Sequence, residues 1–341
     1  MKFKVACGQF RELSDEDLIF SRQVGVEGVT INKPNLESPA WVKVLGKQFP
    51  ASTAARPAMA RWDFLDLLHI RTYVEGHGLR LEAIEGVPRN FIDKAMLGLP
   101  GADEQIDNFK HTIRSVGRAG IPVLGYAWIP DQVWRTAKAA QGRGGAKVTA
   151  YDHAMVDGVR TGDIPSVGEE AMWANYERFI RAVLPVAEEA GVKLALHPDD
   201  PPVPVLDGVA RIMRSPEAFE RALSIGDSPN HGLDFCMGTW AQIGVEVMFD
   251  AMERFGRRGK IFYVHFRNVS GCVPKFAECF IDEGDVDVVR AVRLLIDVGF
   301  DGFVIDDHVP HMVNDTVWGH RSRAYATGYI KGLCRALGSA A

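Results

Sequence analysis

Residues 192–202 read VKLALHPDDPP, and the way this stretch ends decides the fold. Val192 to Leu196 form a short apolar run with no helical period, enough for one buried strand. Pro198, Pro201 and Pro202 fix φ and remove backbone donors, so neither strand nor helix continues through them. His197 is therefore expected at the tip of a buried strand, with Asp199 and Asp200 on a stiff turn beside it. In α/β folds the ends of parallel strands open onto the ligand crevice, so these residues are placed for chemistry.

Working outward, short apolar runs alternate with amphipathic segments along the whole chain. Further strands are expected at 4–8, 28–32, 80–85, 122–128, 231–238, 261–268 and 303–308. Helices are expected at 15–24 (capped by Ser14), 59–75, 103–119, 169–190, 215–225, 242–255, 286–298 and 322–337. Eight strand–helix units point to a single (β/α)8 TIM barrel spanning 1–341. A doubly wound sheet would bring a phosphate-binding G-x-G-x-x-G after an early strand, and none is present. Two long excursions, 32–58 and 129–167, follow strands two and four and are expected over the C-terminal face of the barrel. Stretches this long are functional elements or mobile surface loops.

Composition sets bounds on function. Of 341 residues 47% are hydrophobic and 24% charged, an ordinary globular balance with material for a large core. The net charge is -5 and no basic run occurs, so no nucleic-acid partner is expected. No apolar run approaches the roughly 20 residues that span a bilayer, and MKFKVACGQF is too short and polar for a secretory signal. The five cysteines are odd in number and form no CxxC pair, which suits a reduced, cytoplasmic protein.

If the barrel forms, strands five to eight end on His197, Cys236, His265 and Asp307 around one cup. Two imidazoles, a thiolate and a carboxylate suit a divalent transition metal. They lie about 39, 29 and 42 residues apart, one strand–helix unit each, which excludes a zinc finger and fits a catalytic centre. Singly, each has a plainer reading: a core histidine, a small buried thiol, a helix-capping Asp. Four ligand types at four consecutive strand ends favour the metal. Cys with two His suits zinc; Asp and open positions for an oxygen-rich substrate suit manganese or ferrous iron.

These residues also carry a family likeness. LALHPDDPP, GLDFCMGTW, VHFRN, Phe276-x-Glu278 followed by GDVDV, and Asp307-His308 resemble, in the same order, the motifs of the mannonate dehydratase family. Weaker likeness reaches EGVP at 85–88, GYAWIP at 125–130 and VWRT at 133–136, so most of the chain is covered. The resemblance implies a TIM barrel dependent on Mn2+ or Fe2+, with zinc less favoured, whose ligands fall on His197, Cys236, His265 and Asp307. It implies removal of water from D-mannonate to give 2-dehydro-3-deoxy-D-gluconate, and assembly as a homo-oligomer. Dehydration removes the C2 proton and the C3 hydroxide; a metal on the carboxylate and 2-hydroxyl would stabilise the developing charge.

His308 is the first candidate for the general acid, in agreement with the family motif, although it can instead orient Asp307. Arg267 and Asn268 can hold substrate oxygens, or Arg267 can bridge to Asp199 or Asp200. Asp199 and Asp200 themselves orient ligands or close the turn. Glu85 and Tyr126 are expected to touch substrate, and Arg135 to reach over the cup as part of a lid or to stay solvated.

Three departures from the family pattern stand out. Where the family carries a histidine pair after strand two, this chain reads TINKPNLESPAW, with Lys33 near the place. Where a Pro-Gly-Tyr tyrosine is expected near the C-terminus it reads VWGHRSRAYATGY, leaving Trp318, His320 and Tyr325 as substitutes. The insertion some members carry after strand four is absent. A sugar or sugar-acid isomerase or epimerase on the same barrel is the alternative activity, and a non-catalytic sugar-acid binder the alternative class.

Overall fold

The computed structural model describes residues 3–46, 60–130 and 133–338. Eight parallel strands close a barrel: β1 (Lys4–Phe10), β2 (Gly28–Ile31), β3 (Arg80–Ile84), β4 (Val123–Ala127), β5 (Lys193–His197), β6 (His231–Cys236), β7 (Ile261–His265) and β8 (Phe303–Ile305). Each strand pairs with its sequence neighbours, and β8 closes the ring on β1 with Val5 opposite Val304. The barrel expected from the alternation is therefore the one observed.

Two cores follow from the period-two alternation of the strands. Residues drawn from strands alone, small ones such as Ala6, Ala83 and Ala195 beside large ones such as Tyr263 and Phe303, pack together within the barrel. The opposite strand faces join the helices in one large outer core. The helix Glu169–Ala190 shows why: Met172, Trp173, Tyr176, Phe179, Ile180, Val183 and Ala187 recur at helical spacing and all are buried. It stops at Gly191, whose left-handed φ of 67° suits glycine. Ser14 caps its helix as expected, accepting from the Asp17 N–H at 3.2 Å while the Asp17 carboxylate accepts from the Ser14 N–H at 2.9 Å.

Strands six to eight are shorter than the sequence suggests, because the chain leaves the ladder once its side chains turn to the site. The residues after Cys236 form a helix, Met237–Ile243, and Asp307 lies two residues beyond β8. The expected helix at 59–75 begins at Phe64; Met59 lies outside the described residues. Of the first excursion, residues 47–58 lie outside the described residues, and 39–44 form a short helix.

The second excursion is not a structureless loop. Ala137–Gln141 and Lys147–Asp152 form a hairpin that joins Val269–Cys272 and Lys275–Glu278 in a four-stranded antiparallel sheet. This sheet carries Glu278 on one strand and brings Arg135, just ahead of another, to the mouth of the barrel. No helix among the described residues is long and apolar enough to cross a membrane.

Candidate metal centre and substrate cup

His197, Cys236 and His265 each end a strand, and their donor atoms lie within 4.8 Å of one another. Asp307 joins them, its Oδ2 3.7 Å from both Cys236 Sγ and His265 Nδ1. The two imidazoles are held as ligands should be. His197 Nδ1 donates to the Pro198 carbonyl at 2.6 Å, which leaves Nε2 as that ring's lone-pair nitrogen. His265 turns Nε2 to Glu85 Oε2 at 3.2 Å, while its buried Nδ1 has no hydrogen-bond partner. Thr239 Oγ1 donates to Cys236 Sγ at 3.2 Å.

The field of the site favours a cation. Burial alone would strip His265 of its proton, yet Asp234 and Asp307 push its pKa well above the imidazole range. Burial raises Asp234 to about 7, against the opposing pull of His265 and His197. Asp307 is buried too, but His308, Arg267 and His265 hold it well below the carboxylate range. A pocket that draws a proton this strongly onto a buried, otherwise unpartnered nitrogen also suits a divalent ion. The residues present therefore fit the metal the sequence suggests.

Beside this cluster lies a buried ionic network. Arg135 grips Asp200 with two parallel bonds of 2.8 and 2.9 Å and reaches Glu278 Oε1 at 2.9 Å. Arg267 binds Asp200 at 3.0 Å, Asp307 at 3.0 Å and Glu278 at 3.4 Å. A Cβ on Gly238 would sit 2.0 Å from Arg267 Nε, so the glycine makes room for this guanidinium. His308 Nδ1 lies between a donor, Arg267 Nη1 at 2.6 Å, and an acceptor, Glu278 Oε1 at 3.1 Å. A ring whose Nδ1–H donates to Glu278 is held through that nitrogen, and Nε2 is left to exchange the proton.

An inner cavity of about 170 Å³ runs from these groups past Glu85, Lys33 and Arg89, and opens into an outer cavity of about 910 Å³ shared with Arg135, Glu278 and Trp318. Glu85 accepts from His265 and from the Gln9 N–H at 3.0 Å, and is hydrogen-bonded to Thr30.

Several expected substrate contacts are placed elsewhere. Tyr126 points out of the barrel, where its hydroxyl meets Tyr176 at 3.1 Å and His231 at 3.0 Å; its neighbours Gly125 and Ala127 take the inward positions. Asn268 spends its amide on the loop behind the site, donating to the Val286 carbonyl at 3.0 Å and accepting from the Val269 and Val286 N–H groups. Asp199 closes the turn, accepting from the Met213 N–H at 2.7 Å and facing Arg211. His320 is bonded to Thr316 at 2.6 Å and packed edge-on against Phe20 and Trp318, on neither cavity wall. Arg135 is neither solvated nor free to act as a lid, since its side chain is 6% exposed within the network. Arg267 takes the bridging alternative, with Asp200 as its partner.

Two residues at the site were not singled out from sequence, and a third, Glu278, was named only as part of a motif. Gln9, with φ 64°, donates from Nε2 to Asp307 Oδ1 at 2.6 Å. Asp234, one full alternation before Cys236, accepts from the Tyr263 hydroxyl at 2.9 Å. Glu278 ties both arginines to His308. Period two along β6 would have found Asp234; Gln9 carries no such signal in the sequence.

Comparison with known proteins identifies the family and the fold. The D-mannonate dehydratase (UxuA) family profile matches residues 10–164 and 162–341. The chain is 33% identical over 311 residues to a mannonate dehydratase from Streptococcus pneumoniae, covering 82% of this chain and 84% of that one. It is 31% identical over 319 residues to the mannonate dehydratase of Thermotoga maritima, covering 81% and 86%. The crystal structure of mannonate dehydratase from Streptococcus suis superposes with a TM-score of 0.83 at 28% identity, covering 100% of this chain and 96% of that one. A xylose isomerase domain protein from Planctomyces limnophilus shares the fold, at 12% identity and a TM-score of 0.64. This chain belongs to the D-mannonate dehydratase family.

Proposed function

We infer that this protein is a hydro-lyase that removes water from D-mannonate to give 2-dehydro-3-deoxy-D-gluconate. The observation that carries the reading is the meeting of His197, Cys236 and His265 at the mouth of a barrel whose sequence belongs to the mannonate dehydratase family. With Asp307 these residues would hold one divalent ion, Mn2+ or Fe2+ ahead of zinc, because a carboxylate and an open cup suit an oxygen-rich substrate. When bound, such an ion supplies a Lewis acid for the negative charge that builds on the substrate's carboxylate end.

The chain's own residues do the rest. His308 delivers a proton to the departing 3-hydroxyl while its Nδ1 is oriented by Glu278. Asp200 and Glu278 hold Arg267 and Arg135 in place, so the wall of the cup is rigid before substrate enters. Incubation of the purified protein and Mn2+ with a panel of aldonates tests the reading. Loss of one water from D-mannonate supports it, and an isomer of unchanged mass contradicts it.

A further inference from the structure

Dehydration needs a base for the C2 proton as well as an acid for the 3-hydroxyl, and the groups so far described leave the base unassigned. The carboxylates of the cup are committed elsewhere. Asp200 is bound to two arginines, Glu278 to two arginines and His308, and Asp307 to Arg267 and the ligand cluster. Glu85 accepts from His265, Gln9 and Thr30. Asp234 accepts from the Tyr263 hydroxyl and faces His265 Nε2 at 3.5 Å, so it belongs to the ligand cluster. The carboxylates ringed by cations are weak bases.

Lys33 differs from all of these. It lines both cavities, the inner one together with His197, His265 and His308, and it has no ion pair among the described residues. Its backbone is in the left-handed region, φ 49°, and its N–H is tied to the Gly86 carbonyl at 3.1 Å. The lysine stem lies against Gly86, where an added Cβ would come within 3.3 Å of Lys33 Cγ and Cε. Strand-end geometry and a glycine thus set the course of this side chain.

We propose that Lys33 is the base that takes the C2 proton, an assignment that rests on the dehydratase reading above. Lys33 is exposed at the cavity mouth; partial loss of water against the cavity wall and the charge of Arg11 lower its pKa, against the opposing charge of Glu85, and so raise the share of free amine. The free amine of Lys33 takes the proton from C2, and the C2–H electron pair becomes the C2=C3 bond as the C3–O bond breaks. The departing oxygen leaves as water with the proton of the His308 imidazolium. The resulting enol moves its hydroxyl proton to C3 to become the 2-keto acid. Solvent takes the proton from Lys33 and returns one to His308, so the net change is loss of one water.

Lys33→Arg and Lys33→Ala separate a base from a merely attractive charge, because arginine keeps the cation but does not accept a proton. Both variants should keep the wild-type melting temperature and metal content and lose about 10²- to 10⁴-fold in kcat on D-mannonate. Added ethylamine should restore activity to Lys33→Ala in proportion to its free-base concentration and do nothing for Lys33→Arg. A readout free of turnover is reductive methylation of the wild-type protein near neutral pH. Lys33 should label ahead of Lys138 and Lys147, which are exposed as it is. Lys33→Arg within about threefold of wild type in kcat, no response to the amine, or labelling no faster than at Lys138 overturns the assignment. A wild-type protein that does not dehydrate D-mannonate overturns the dehydratase reading, and this base with it.

Discussion

Replacing Asp200 by Asn keeps the shape of a side chain that is 2% exposed while removing the charge that joins Arg135 to Arg267. Two buried guanidiniums then share Glu278, with only Arg267 still reaching Asp307. Breaking a buried pair in this way costs about 3–5 kcal/mol, because the remaining charge stays out of water. At about 2 °C per kcal/mol for a chain of this size, the melting temperature should fall by roughly 6–10 °C at pH 7. The pH dependence carries a sign. Burial would raise the Asp200 pKa, but Arg135 and Arg267 hold it well below the carboxylate range in the folded protein. A depressed folded value gives stability that is present above the unfolded value of about 3.9 and lost as pH falls through the folded one. The gap between wild type and Asp200→Asn should therefore be level from about pH 5 to 7 and narrow below about pH 4. Thermal unfolding of both proteins at matched metal content, followed by circular dichroism, reads the gap. A difference under about 2 °C at pH 7, or one that stays constant into acid, refutes the role given to this network.

Tyr126→Phe should leave kcat and KM on D-mannonate unchanged and cost about 1 kcal/mol in unfolding free energy, since the hydroxyl serves Tyr176 and His231 outside the barrel; steady-state kinetics and urea unfolding check both. His308→Ala should lower kcat by about 10²- to 10⁴-fold while metal content stays at the wild-type level. A parallel loss of metal would instead assign this histidine to holding Asp307.

The barrel was legible because its buried strands are short apolar runs broken by turn residues, and because an amphipathic helical segment follows each of them. The ligand cluster was legible for the same reason: strand ends are marked in sequence, and four of them carry metal-binding side chains. What the sequence hid depends on partners far along the chain. Arg135 finds Asp200 across 65 residues and Glu278 across 143, and nothing local announces either pairing. The hairpin at 137–152 was hidden likewise, since its second strand pairs with 275–277. Tyr126 was misassigned by treating every residue of β4 as able to face the cup, when the pleat sends alternate side chains to the helices. Asn268 was misassigned because a polar residue beside a site reads as a substrate contact, whereas it satisfies backbone groups of the loop behind the site; Asp199 takes the turn-closing one of its two readings.

The central claim is that one divalent cation, gripped by His197, Cys236, His265 and Asp307, supports loss of water from D-mannonate. The most direct measurement titrates metal-stripped protein with Mn2+ while following 2-dehydro-3-deoxy-D-gluconate. The account predicts no product without metal, a rate that saturates at one ion per chain, and no recovery in Cys236→Ala. An undiminished rate in the stripped protein, or full activity in Cys236→Ala, would contradict it.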